Sequence, residues 1–442
     1  MGIVGWTTKD FEDVEKRMSR IAHPVIRPGL SRIARLLEYL GHPERSFRAI
    51  HVVGTNGKGS TAAFVESVLR ETGLKTALYA SPHLVHFGER LRIGGEIVSP
   101  DKWNEAIDVV ESALRKICEK PTFFEVSTAT AFMIAASEEV DMAIVEAGLG
   151  GRLDATNILR NVAVSVLTSI GLDHIEYLGE TPMAVAVEKF SVLRPNGKSC
   201  FAGGDVTLER AYQNRCLFLK NQGIVTPRIA KWKVRKVDLS GTIFDAFLFG
   251  ESFRDLKTRL VGRHQALNAM NAVVALRLLS SEGITVTKDQ IQKGFRRVRL
   301  PGRFDIRVLE GGTVILDGAH NPHGINALVE AVSEIVSRGD LSVVFASMKD
   351  KDYQKSLSLL KKLEGKLFLT QVPGMDRSAT TEELQEAAVQ AGWDGIRTID
   401  TPGKALKEAL EASGTVLCCG SLYLVAEILK KTSAWGNTCN VA

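Results

Sequence analysis

The 442-residue chain contains no apolar run of the roughly 18 residues needed to cross a bilayer. Its opening stretch, Met1 to Met18, has neither the basic start nor the apolar core of a secretory signal. Met1-Gly2 followed by Gly5-Trp6 also lacks the serine or threonine of a myristoylation signal. Secretion and membrane attachment are therefore not expected. Cysteine is sparse: Cys118, Cys200, Cys216, Cys418, Cys419 and Cys439 are scattered, and none forms a CxxC pair. That spacing argues against a disulfide framework and a cysteine-based zinc site, and it fits a reducing cytoplasm. An excess of one charge is missing too. The balance of 56 basic against 51 acidic residues leaves only +5, and no array of arginines and aromatics marks a nucleic-acid surface. Small anionic ligands suit such a chain better than a polynucleotide. There is no internal repeat and no low-complexity tract. The tail Trp435–Ala442 has no helical or strand period and is expected to be loosely ordered.

What is present is a folding chain, 45% hydrophobic and 24% charged. At ~100–200 residues per domain, about two to four domains are expected. Short β-type runs alternate with helical patterns. Strand candidates are Ala49–Val53, Thr76–Ala80, Met142–Glu146, Ala163–Thr168 and Lys198–Ala202, with a helix over Thr61–Thr72. Such runs separated by helices predict a parallel sheet covered on both faces. Gly223–Phe249 alternates more and reads as an antiparallel patch or insertion. The basic stretch Arg296–Arg303, with Pro301-Gly302, reads as a connection between domains. After it the rhythm restarts at Thr313–Leu316, Leu341–Phe345, Lys366–Thr370 and Thr415–Cys419. Cys418 and Cys419 read as buried strand residues. The boundary is placed so that residues 1–297 form a large α/β domain and 298–442 a smaller one.

The main chemical signal is the loop Gly54-Thr55-Asn56-Gly57-Lys58-Gly59-Ser60, between a strand and a helix. Glycines let successive N–H groups turn toward one anion, and the next helix adds its positive end. Lys58 supplies a point charge for β- and γ-phosphates, and Ser60 can contact a phosphate or its metal. The spacing is not that of GxxxxGK[ST]: the first glycine stands four residues before the lysine, and Gly59 intervenes before the serine.

With its neighbours, this loop resembles that of the Mur ligase superfamily, and more narrowly the folylpolyglutamate synthase/dihydrofolate synthase family. The ordered pieces are PGLSRI at Pro28–Ile33, HVVGTNGKGS at His51–Ser60 and SPHLVHFGERLRI at Ser81–Ile93. TFFE at Thr122–Glu125, EAGLGGRLDATN at Glu146–Asn157 and SIGLDHIEYLG at Ser169–Gly179 follow. GRHQALNA at Gly262–Ala269, LPGRFD at Leu300–Asp305, DGAHNPHG at Asp317–Gly324 and GSLYLVAEI at Gly420–Ile428 complete the set. The resemblance implies a Mur-ligase-like fold: a large N-terminal phosphate-loop domain with a parallel-rich sheet, and a smaller C-terminal Rossmann-like domain. It also implies ATP-dependent amide formation, in which a carboxylate takes the γ-phosphoryl group and the resulting acyl phosphate is attacked by the amine of L-glutamate. The acid would be dihydropteroate or the γ-carboxyl of a reduced folate's glutamyl tail. A bifunctional enzyme is the leading expectation. A monofunctional folylpolyglutamate synthase comes next, then a Mur-type ligase for another carboxylate. A non-catalytic ATP-binding relative and a plain phosphate-loop NTPase fit the sequence less well.

By the same resemblance, Ser81, Glu146 and His174 are metal residues for magnesium, with two ions expected, and a monovalent cation is a further candidate. Taken alone, Ser81 before Pro82 reads as a helix N-cap. Lys189 is expected to act in catalysis as a carbamylated lysine, although Phe190-Ser191 replaces the family's Ala-Gly and puts bulk beside it. Lys58 and His320 are the other catalytic candidates, His320 by positioning the amino acid. Asn268, Arg303 and Asp317 join the loop as ATP residues. Gly29, Leu30, Ser31, Arg32, Ala80, Thr122, Phe123, Phe124, Glu125, Leu153, Asp154 and Ala155 match stretches that hold dihydropteroate, the two phenylalanines offering a stacking face. Ser421 is a further substrate candidate. The expected protein is a cytoplasmic monomer with small-molecule substrates and neither nucleic-acid nor membrane partners.

Overall fold

The computed structural model describes residues 6–23, 25–337 and 339–432. The opening Met1–Gly5, Cys439 and the tail Trp435–Ala442 lie outside the described residues. Two open sheets dominate. The first contains β1 (Arg48–Val53), β2 (Thr76–Tyr79), β3 (Leu91–Ile93), β4 (Glu96–Ile97), β5 (Met142–Glu146), β6 (Val162–Leu167), β7 (Lys198–Phe201) and β8 (Gln222–Val225). Their spatial order is β4-β3-β2-β5-β1-β6-β7-β8. From β2 to β8 every pairing is parallel, and β3 and β4 add an antiparallel edge hairpin. β1 is buried at Ala49, Ile50, His51, Val52 and Val53, as expected of a strand covered on both faces.

The helix Lys58–Arg70 follows β1 and is buried from Ser60 to Leu69. It packs in one core with the helix Arg263–Leu278, whose residues from Ala269 to Ala275 are all inaccessible. A helix apolar all round is what a central position requires. The region read as an antiparallel patch is divided. Gly223–Val225 belongs to the parallel strand β8, while β9 (Ala230–Asp238), β10 (Gly241–Leu248) and β11 (Glu251–Thr258) form a separate three-stranded antiparallel sheet reaching Thr258. The pattern misled at its start because β8 is short and half exposed.

The second sheet comprises β12 (Asp305–Leu309), β13 (Gly312–Leu316), β14 (Ser342–Phe345), β15 (Lys366–Thr370), β16 (Arg397–Ile399) and β17 (Thr415–Cys419), in the order β12-β13-β17-β14-β15-β16. Only β12 runs antiparallel to its neighbour. Cys418 and Cys419 are buried in β17. The architecture is therefore α/β, with a large parallel-rich sheet domain and a C-terminal α/β domain. Among the described residues no helix is long and apolar enough to cross a membrane. In each sheet, three adjacent parallel strands end side by side: β5, β1 and β6 in the first, β13, β17 and β14 in the second. Ligands of open α/β sheets bind beyond such carboxyl ends.

Candidate active site

The loop after β1 is shaped by close approaches. A Cβ on Gly54 would lie 1.8 Å from Thr168 Oγ1, and Gly57 combines φ +82° with only 2.4 Å to Asn268 Oδ1. Both positions require glycine. Thr55 Oγ1 donates to Gly171 O (3.0 Å) and accepts from Gly171 N (3.1 Å), so the loop is fastened to the segment after β6. Ser169 Oγ donates to Asn56 O (3.1 Å). Asn268 Nδ2 donates to Gln265 Oε1 (3.1 Å), which leaves its Oδ1 facing Gly57. Lys58 Nζ reaches back to Thr55 O (3.1 Å). Gly59 stands beside Glu146, and Ser60 is buried in the first turn of the helix.

Glu146 ends β5 next to this loop. Burial raises its carboxyl pKa, against the opposing charges of Lys58 and Arg303 and a hydrogen bond from the Ser81 N–H. Ser81 is not a helix N-cap: the Ser81-Pro82 peptide is cis and no helix begins there. Ala80 follows β2 and does not line the cavity described below.

Lys189 is only 3% exposed. Its Nζ donates to Gly54 O (2.8 Å), at the start of the glycine loop. Burial, reinforced by the nearby Lys58 charge, lowers its pKa to about 7. The bulk of Phe190 does not crowd it. That ring turns into a separate cluster, 5.3 Å from Phe201 and 5.5 Å from Tyr212 between centroids, while Ser191 Oγ donates to Val187 O.

From the second sheet, Asp317 follows β13. Its Oδ1 accepts from Ala319 N and its Oδ2 from Phe304 N, both at 2.8 Å. Burial raises its pKa, and Arg303 opposes the rise. Arg303 therefore lies between Glu146 of one sheet and Asp317 of the other. Ser421 is buried and its Oγ accepts from Tyr423 N (3.1 Å), so the hydroxyl oxygen is engaged at the start of the helix Leu422–Thr432.

The sequence reading missed the residues that stitch the two sheets together. Asn321 Oδ1 accepts from Asn56 Nδ2 (3.0 Å) and Gly324 N (2.8 Å), and its Nδ2 donates to Asn56 Oδ1 (3.2 Å) and Asp173 Oδ2 (3.1 Å). His323 Nδ1 lies 3.0 Å from Asn56 Nδ2. Asp173, in the loop after β6, faces Lys351 Nζ at 2.5 Å and His320 Nε2 at 3.4 Å. Burial alone would raise its pKa. Hydrogen bonding to His320, with the charges of His320, Lys351 and His174, instead holds it well below the usual carboxylate range. His174 belongs to this cluster: burial lowers its pKa to about 4, and its Nε2 lies 3.5 Å from Lys351 Nζ. An ammonium only donates, so that Nε2 presents its lone pair to Lys351. The one available signal was the DGAHNP segment itself, whose asparagine had been passed over for Asp317 and His320.

Among the described residues no three His, Cys, Asp or Glu side chains gather to hold a metal ion. Of the expected metal residues, Ser81 and Glu146 are in contact, and His174 Nε2 faces Lys351 Nζ. The donor chemistry still fits magnesium. Glu146 is a buried carboxylate in contact with Ser81, and this ion needs only one or two carboxylates when phosphates and water supply the rest.

A cavity of about 460 Å³ opens near this centre. Of the residues matched to dihydropteroate, Gly29, Thr122, Phe123, Phe124, Glu125, Leu153, Asp154 and Ala155 line it. Leu30, Ser31 and Arg32 do not, although Arg32 stands behind the wall and its Nε donates to Glu125 Oε2 (3.1 Å). His23, Ile26 and Tyr177 are lining residues that the sequence did not single out. Glu125 Oε2 also accepts from Thr122 N (2.6 Å), whereas the buried Oε1 has no partner. Asp154 is fully engaged, accepting from Leu149 N (2.7 Å), Thr156 N (3.0 Å) and Thr156 Oγ1 (2.5 Å).

Comparison with known proteins matches the Mur ligase middle domain over residues 52–276 and the Mur ligase glutamate ligase domain over 302–422. The chain is similar to the dihydrofolate synthase/folylpolyglutamate synthase of Bacillus subtilis, 31% identical over 431 residues and covering 92% of this chain and 95% of the relative. The Escherichia coli protein of the same name is 32% identical over 416 residues, covering 92% of each. Among solved structures, E. coli FolC in complex with DHPP and ADP superposes with a TM-score of 0.85 at 28% identity, covering 97% of this chain and 99% of that one. Mycobacterium tuberculosis folylpolyglutamate synthase complexed with ADP and AMPPCP gives 0.86 at 28% identity, with the same coverage.

Proposed function

The chain belongs to the folylpolyglutamate synthase/dihydrofolate synthase family of ATP-dependent glutamate ligases, within the Mur ligase superfamily, and from that premise we propose that it is bifunctional. It joins L-glutamate both to dihydropteroate and to the γ-carboxyl of reduced-folate tails. The observation that carries this reading is the cavity lined by Phe123, Phe124 and Glu125, whose carboxylate is held by Arg32 and Thr122. A flat heterocycle would stack on the phenylalanines in this cavity. Asp154, whose oxygens are already engaged, holds the loop instead.

In the proposed reaction, an oxygen of the acid attacks the γ-phosphorus of ATP and ADP departs. The glutamate nitrogen then attacks the acyl carbon, phosphate leaves, and the amine sheds a proton. The backbone of Gly54–Ser60 receives the phosphates, with Lys58 opposing their charge. Asn268, Arg303 and Asp317 complete the nucleotide site. Ser81 and Glu146 would hold magnesium, which offsets phosphate charge when bound. His174 is the third proposed metal group. Lys189, with its amine near neutrality, suits the proposed carbamate. A second magnesium and a monovalent cation belong to the same proposal. His320 positions the glutamate, with Ser421 at the edge of that site. The acyl phosphate must be kept from water, which a cleft between two sheets achieves. We divide the chain at 297/298 and take the enzyme to be a cytoplasmic monomer without nucleic-acid or membrane partners.

The test supplies Mg-ATP and glutamate with dihydropteroate, tetrahydrofolate or neither, and follows phosphate and ligated product. Turnover with both acids is expected. Turnover with tetrahydrofolate alone would select the monofunctional enzyme, and phosphate release without product would sink the ligase assignment for this chain.

A further inference from the structure

Lys351 is not a loose surface lysine. Its side chain is 9% exposed and that of Asp173 10%. Its backbone is held on both sides, with Lys351 N donating to Met348 O (3.1 Å) and Tyr353 N to Lys351 O (2.9 Å). Asp352 then caps the helix Tyr353–Leu360 through Lys355 N (3.0 Å). Lys349 N donates to Arg377 O (2.8 Å), which fastens the loop to the next crossover. A fixed cation is thus carried from the end of β14 across the seam to Asp173. Asp350 Oδ2, 3.5 Å away, is the other carboxylate near its ammonium.

Asp173 is where the second domain converges. It receives Lys351 from the loop after β14, and His320 and Asn321 from the loop after β13. Asn321 in turn grips Asn56 of the phosphate loop. One first-domain carboxylate therefore fixes two second-domain loops. Without Lys351, Asp173 would keep a buried negative charge compensated mainly by an imidazole, and the geometry of His320 would loosen.

We propose that Lys351 is a positioning residue for glutamate ligation: its ion pair with Asp173 latches the two domains together and sets His320 over the site. This rests on the ligase reading and adds a residue to it. Lys351→Met should lower kcat about 30-fold, the factor matching about 2 kcal/mol for a truncated partner of a buried ion pair. Glutamate KM should rise, while the ATP Kd by calorimetry stays within about twofold, because the Lys351 ammonium pairs with Asp173, Asp350 and His174 and not with the Gly54–Ser60 loop. Lys351→Arg should recover most of the loss. The double variant with Asp173→Asn should be no worse than the worse single variant. An unchanged kcat, a parallel loss of ATP affinity, or additive losses would overturn the proposal. If Lys351→Met does not fold, Lys351→Gln carries the same comparison without the charge. Small-angle scattering with an ATP analogue needs no turnover, so it separates this latch from the acid specificity. A larger radius of gyration for the variant is expected, and equal radii would refute the latch.

Discussion

Lys189 offers the sharpest test of the buried centre. Its amine falls from 10.5 to about 7, first because burial removes water and then because Lys58 is near. At about 1.4 kcal/mol for each pH unit, the protonated amine opposes folding by about 5 kcal/mol. The sign follows from proton binding. Between about pH 7 and pH 10.5 the unfolded chain holds a proton that the folded chain has released, so stability rises with pH across that window. Nearly the full cost applies at about pH 6, and about 2 kcal/mol remains at about pH 9. Lys189→Met removes this dependence. It also frees Gly54 O, a loss of about 1 kcal/mol that does not vary with pH. The variant's stability relative to wild type should therefore fall by about 3 kcal/mol from about pH 6 to about pH 9. Urea unfolding in carbon dioxide-free buffer at four pH values would measure it. Parallel profiles for the two proteins would refute both the burial and the near-neutral amine. The same variant should lose ligation although it folds well. Carbamate formation needs the neutral amine, which is about nine-tenths of the population one pH unit above the pKa.

Lys58→Ala should abolish ligation with either acid, since the transferring phosphoryl group loses its cation; near-normal turnover would remove the lysine from the mechanism. Gly57→Ala should cost about 1–2 kcal/mol of stability, because φ is +82° and the new Cβ would press on Asn268 Oδ1. Calorimetry should also show its ATP affinity reduced by about tenfold or more, and unaltered binding would mean the loop does not cradle phosphate. Phe124→Ala should raise the dihydropteroate KM by about tenfold through lost stacking while the ATP Kd is unchanged. An unaltered KM would move the acid out of this cavity.

The sequence made the main strands and the glycine loop after the first strand legible because both are local. Met142–Glu146, Lys366–Thr370 and Thr415–Cys419 have the observed bounds, since a strand buried on both faces is a continuous apolar run ended by glycine or charge. The helix after the loop begins at Lys58 rather than Thr61, because Gly57 supplies the entry and the first turn carries polar residues that hide its start. The hairpin Leu91–Ile93/Glu96–Ile97 and the edge strands Asp305–Leu309 and Arg397–Ile399 escaped notice because they are largely half exposed, with no apolar run to announce them.

The site divides along the same line. Residues that stand where their own strand ends, such as Glu146 and Asp317, could be placed from the strand pattern and the motif. Lys189 could not be recognised as buried: Pro182–Phe190 is one short helix, and only the contact of its Nζ with Gly54 O, 135 positions away, puts it beneath the loop. Asp173 and Lys351 are 178 positions apart, and each looks like an ordinary charged loop residue until the two sheets face each other. The fold turns that pair into a nearly dry contact. The same contact bears on His174: its motif predicts a metal ligand, and in the folded chain its lone pair is directed to a lysine from the other domain. Local pattern specifies which groups a domain can present, whereas the packing of one domain on the other decides what each group meets.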